Sequence, residues 1–153
     1  MLKDVQELLQ REEAAWAEFV AEVRRVPEAK RGELGVVPGW SVNDLVYHNG
    51  RWAGVAAEKL EIIGREQPPG EEDPEPVWQG KNELWAAESK SMTYEEAMAK
   101  ALADRKAARE ALEALDEVTD EAASWFTEET YDHYQEHTEE ISRYADSFGV
   151  PQR

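Results

Sequence analysis

The sequence predicts an all-α protein: a four-helix bundle in a single domain spanning 1–153, with long loops at about 27–40 and 65–80 and a short extra helix. Three observations carry that prediction. Apolar residues recur at spacings of three and four along four long stretches. Three of these stretches open on a hydroxyl capping residue, and three close near glycine or proline. No stretch sustains the period-two alternation of a half-buried strand. The length of 153 residues suits one domain, of a size that buries roughly 70% of the surface its unfolded chain exposes.

The first helix runs from about Leu2 to Val26, with Val5, Leu8, Leu9, Trp16, Phe19, Val20 and Val23 on one stripe. Pro27 ends it, and the glycines and prolines up to Gly39 mark a loop. Ser41 caps the second helix, and Asp44 three residues on forms an imperfect capping box, its acid one methylene shorter than the usual Glu. The face of this helix reads Leu45, His48, Trp52, Val55 and Leu60, and Gly64 stops it. Residues 65–80, with Pro68, Pro69, Pro74 and Pro76 among acids, read as a connection, and Asn82 to Ser89 as a short helix. Thr93 and Glu96 form a full capping box for a helix through Met98, Ala101, Leu102, Leu112 and Leu115. Trp125-Phe126 fall in a brief break. Thr127 then caps a final helix to about Phe148, closed by Gly149 and Pro151.

Seventeen basic and 34 acidic side chains leave a net charge of −17. That balance disfavours nucleic acid, where Lys and Arg must replace phosphate counterions, and anionic membrane surfaces. The acid excess, mostly Glu, reads first as a solvated helix face. No cysteine is present, which excludes disulfides, zinc–thiolate sites and a cysteine nucleophile and suits a reducing compartment. The first residues, Met1 to Glu7, carry acids where a signal peptide needs a basic and then an apolar stretch. A cytoplasmic location, a small-molecule substrate, no nucleic-acid or membrane partner, and a homodimer on base rates are the expectations.

The three histidines carry most of the information. His133 and His137 stand four apart, one above the other on a helix face that continues through Ile141, Tyr144 and Phe148. His48 lies on another apolar face, between Leu45 and Trp52. An unpaired imidazole costs about 1–3 kcal/mol to bury, so something must satisfy these rings. A divalent metal does so economically, three imidazoles leaving open positions for water or substrate, as in a catalytic site. Core histidines bonded to a nearby Tyr or carboxylate satisfy them as well, and spacing alone leaves both readings open. Asp44 and Asp132 are candidates to orient a ring's second nitrogen. The zincin signature is absent, since Glu136 directly precedes His137 and belongs off the site face. There is no P-loop, dinucleotide fingerprint or nucleophile elbow. The six tryptophans read as core or as a pocket wall, Trp52, one turn beyond His48, being the best wall candidate.

The segment Val37-Pro38-Gly39-Trp40-Ser41-Val42-Asn43-Asp44-Leu45-Val46-Tyr47-His48 resembles the second-helix motif of the DinB-like superfamily, Gly-Trp-(Ser/Thr)-Val-x-(Asp/Glu)-Leu-(aliphatic)-x-His. The ending His133-Tyr134-Gln135-Glu136-His137, followed by Ile141, is similar to that superfamily's last-helix motif. Together with Asn82-Glu83-Leu84-Trp85, it looks most like the ClbS/DfsB group, and it is also similar to the N-terminal domain of mycothiol-dependent maleylpyruvate isomerase. The resemblance implies a bundle holding a divalent metal (Zn, Ni or Fe) on His48, His133 and His137. Members use such a site for mycothiol or bacillithiol transfer, for thiol-dependent isomerisation or for hydrolysis, and ClbS-type members protect against a reactive small molecule. The expected function is therefore a metal-dependent small-molecule enzyme of thiol-transferase or hydrolase type, using a low-molecular-weight thiol such as mycothiol or bacillithiol. The alternative is a non-catalytic protein that binds and sequesters a small molecule in the same pocket.

Overall fold

In the computed structural model, residues 4–149 are described, and they form six α-helices and no strand. The expectations at Leu2 and Pro151 lie outside these residues. Helix α1 (Val5–Arg25) starts where the Asp4 side chain accepts from the Glu7 amide. Its predicted stripe is the buried one, with Leu8, Phe19 and Val23 fully enclosed. Glu12 is fully enclosed too, inside that apolar face. Its carboxylate accepts two bonds from Arg105 (2.5 and 2.6 Å), one from Arg109 (2.7 Å) and one from the Tyr134 hydroxyl (3.0 Å). A buried charge is tolerable only when so fully paired.

Pro27 ends α1 as expected, and the loop that follows holds one 3₁₀ turn, Glu28–Lys30. Helix α2 (Val42–Gly64) is central, packing on α3, α4, α5 and α6. Its capping box is complete despite the shorter acid. Ser41 Oγ accepts from the Asp44 amide at 3.1 Å, and Asp44 Oδ2 accepts from the Ser41 amide at 2.8 Å. The helix stops on Gly64, but the left-handed residue that turns the chain away is Glu66, at φ 59°.

Two boundaries differ from expectation. The 65–80 connection ends early, because α3 spans Glu75–Ser89 rather than only 82–89. Pro76 had read as a breaker, yet it occupies the first turn, where its missing N–H would have no helical partner anyway. The Trp125-Phe126 break is also absent. Thr119, not Thr127, is a cap, and α5 covers Asp120–Glu129 with Trp125 and Phe126 buried. The chain breaks at Thr130, whose hydroxyl donates to the Phe126 carbonyl at 2.6 Å, and α6 (Tyr131–Asp146) follows at once.

Helix α4 (Tyr94–Glu113) has the expected Thr93–Glu96 capping box. Its inner face is mostly small, with Ala97, Ala101 and Ala108 buried, while Leu102 points outward at 44% exposure. That small-residue face lets α4 lie directly on α2. A Cβ on Gly50 would stand 2.5 Å from the Ala101 Cα. The four long helices thus form the predicted bundle, α2 paired with α4 and α1 with α6. Helices α3 and α5 add to α2.

Candidate metal centre

The cap at Ser41 places His48 almost two turns into α2, where the helix is buried on all sides, and the ring is 4% exposed. The break at Thr130 starts α6 so that His133 and His137 face His48. His48 Nε2 lies 2.9 Å from His133 Nε2, which lies 3.1 Å from His137 Nε2. The ring centroids of His48 and His137 are 4.9 Å apart. One atom from each of the three histidines falls within 4.8 Å of the others.

These spacings fit a single ion. Ligand nitrogens about 2.0–2.1 Å from a metal, at angles between octahedral and tetrahedral, are separated by about 2.9–3.4 Å. The protonation state fits as well. Burial, reinforced by the neighbouring imidazoles, holds His48 well below the ordinary histidine value, and burial with His137 brings His133 down to about 3. Both rings are neutral at pH 7, the form that ligates metal. The Nδ1 atoms of His48 and His133 are buried without a hydrogen-bond partner.

His137 differs, because its Nδ1 contacts the Glu140 carboxylate. A carboxylate acceptor at Nδ1 is the usual arrangement behind a histidine that ligates through Nε2. Glu140, rather than Asp44 or Asp132, is the carboxylate in contact with one of the three rings. The Asp44 carboxylate is occupied by the Ser41 amide, Ser89 Oγ (2.6 Å) and Lys90 Nζ (2.6 Å). Asp132 is exposed. A tyrosine partner is not found either, since Tyr134 turns its hydroxyl to Glu12.

The three histidines line a cavity of about 450 Å³. Trp40, Trp52, Trp78 and Trp125 form much of its wall. Trp40 stands edge-on to His48 at 5.0 Å, and Trp52 edge-on to His133 at 6.3 Å. Trp52 is fixed by donating its indole N–H to Asn82 Oδ1 at 2.8 Å. Sequence reasoning had singled out Trp52 but not Trp78 and Trp125, which come from α3 and α5. Glu136, expected to point away, borders the cavity. Glu129 also lines it, and burial with the nearby Glu72 and Glu128 pushes its carboxyl up to about 7. No helix among the described residues is long and apolar enough to cross a membrane.

Comparison with known proteins places this geometry in context. Residues 9–136 match the family described as the mycothiol maleylpyruvate isomerase N-terminal domain. The matched region includes His48 and His133 and stops one residue before His137. A crystal structure of an uncharacterised protein from Escherichia coli UTI89 is similar in fold, with a TM-score of 0.78 over 99% of this chain and 98% of that one, at 13% identity. No curated protein sequence matches significantly.

Proposed function

Because the chain belongs to the mycothiol maleylpyruvate isomerase N-terminal domain family, with its DinB-like fold, we propose that it is a metal-dependent enzyme acting on a small molecule, with His48, His133 and His137 holding one divalent ion. The observation that carries this reading is the approach of the three Nε2 atoms, 2.9 and 3.1 Å apart in sequence, beside a cavity of about 450 Å³. That size suits a small organic ligand. The chemistry such an ion supplies is a lowered pKa for a thiol or water bound to it.

The chain's own residues do the rest. Neutral imidazoles offer their lone pairs, and Glu140 holds His137 in the required tautomer. The tryptophan walls exclude water and orient the apolar part of a substrate. With no cysteine in the chain, a transferred sulfur must enter on a cofactor such as mycothiol or bacillithiol, while water as the nucleophile makes the reaction a hydrolysis.

Elemental analysis of untagged protein, purified without chelator, tests the metal. We expect about one ion of Zn, Ni or Fe per chain, bound as isolated or after addition, and its loss in His133→Ala. Protein that carries no metal and takes up none ends this reading. The tryptophan walls would equally suit a protein that only sequesters its ligand. Turnover of a thiol-dependent or hydrolysable substrate that disappears in His133→Ala separates the two.

A further inference from the structure

The cavity also holds charged groups that metal ligation does not use. Glu72 and Asp73 reach it from the α2–α3 connection, Glu129 from the end of α5 and Glu136 from α6. Among the described residues, Lys59 is the one lysine or arginine lining it. Asp73 is already paired with Lys81 at 2.6 Å. Lys59 donates to the Pro69 carbonyl at 2.7 Å, and its ammonium lies 5.0 Å over the Trp125 ring.

The remaining acids are crowded. Glu72 and Glu129 both line the cavity, and burial, then the nearby Glu72 and Asp132, raises the carboxyl of Glu128, the neighbour of Glu129 in the chain, above its ordinary value. Glu129 stands in the field of Glu72 and Glu128, offset by Lys81, and makes no hydrogen bond to a described residue. Glu72 and Glu128 are exposed and Glu129 is half-buried, so a cation joining the cavity would relieve Glu129 most, a half-buried carboxyl beside two of like charge. The walls suit one as well, because indole faces attract cations. Lys59 on Trp125 and Arg51 on Trp85 already show that pairing in this chain.

We propose that this cavity takes an organic cation, a small molecule whose ammonium head sits against Glu129 and Glu72 and whose apolar body lies among Trp52, Trp78 and Trp125. The inference rests on the cavity being the substrate chamber, and it does not require the metal.

Calorimetric titration with phenethylammonium and with 3-phenylpropionate, a pair of similar shape and opposite charge, tests it. The titrations use chelator-treated protein, so that the carboxylate gains nothing from an ion. The ammonium should bind about tenfold more tightly than the carboxylate. Glu129→Gln should weaken the ammonium by about fivefold or more and leave the carboxylate unchanged or tighter. Glu72→Gln, on a connection rather than a helix, should act in the same direction, with thermal melts confirming that both variants fold. Carboxylate binding as tight as ammonium binding overturns the inference. So does no ammonium binding at about 10 mM, or preference unchanged in both variants. His133→Ala separates this from the metal reading. A chain that takes up no metal but prefers the ammonium keeps this inference and loses the other. A chain that takes up metal with no such preference does the reverse.

Discussion

Among the described residues, His137 is the only one of the three imidazoles with a carboxylate behind it, and Glu140 lies just three residues along the same helix. Removing such an orienting partner commonly lowers metal affinity by about 10–100-fold without breaking a direct ligand bond. Glu140→Gln should therefore weaken metal uptake by that order in competition with a chelating dye, while its melting temperature stays close to that of the parent. Glu129 makes a different prediction. Burial, then Glu72 and Glu128, lift its carboxyl to about 7 from an ordinary value of 4.5, against the pull of Lys81. The folded chain keeps a proton that the unfolded chain releases, so its stability falls as pH rises from 4.5 to about 7 and stays lowered above that. Glu129→Gln removes the penalty. Urea unfolding should find it more stable than the parent by about 1–3 kcal/mol at pH 8, the gap closing towards pH 5. The two carboxyls also differ in how readable they were. Glu140 is one helical turn from His137 and was available to a spacing argument. Glu129 is perturbed by Glu72, from a segment 57 positions away, and no local pattern signals that.

At the scale of elements, local chemistry was legible and tertiary choices were not. Thr93 with Glu96, and Ser41 with Asp44, mark helix starts because both halves of each capping box lie within four residues. The four-residue spacing of His133 and His137 likewise put both rings on one face. The start of α3 was hidden because proline marks both loops and first turns. The join between α5 and α6 was hidden because Thr130 adopts its break (φ −114°, ψ −97°) without glycine or proline. Glu12 looked like one of many surface acids, since its partners Arg105 and Tyr134 lie 93 and 122 positions away. The contact of α2 with α4 yields a direct test. Gly50→Ala would put a Cβ 2.5 Å from the Ala101 Cα, backbone that cannot swing aside. The helix-propensity gain of about 1 kcal/mol is outweighed by the forced separation, and the net loss should be about 1–3 kcal/mol in urea unfolding. His48 is two residues away on the same helix, so metal uptake should weaken in parallel.

Over the whole molecule, a charge of −17 on 153 residues makes self-repulsion a general load. Exposed pairs such as Lys106 with Glu110 offset little of it. Raising sodium chloride from about 20 to 300 mM should raise the melting temperature by a few degrees, because screening relieves the repulsion more than it weakens such pairs. A fall in melting temperature would show that attractive pairs dominate instead. The bundle class itself was readable from periodicity, since most of a helix stripe must face a common core. Its inner order came from side-chain size, through the alanine face of α4. One buried feature has a bearing well outside its own neighbourhood. Tyr134 and His133 are consecutive on α6, one bonded to Glu12 on α1 and the other facing His48 on α2. A side-chain atom about 6 Å from a helix axis moves about 1 Å for each 10° that the helix rolls. The Glu12–Arg105–Tyr134 cluster therefore acts as a rotational index for α6. It sets the azimuth of both its imidazoles from an adjoining face of the helix, about 60–100° around the axis, so the aim of the histidines is decided outside the cavity they line.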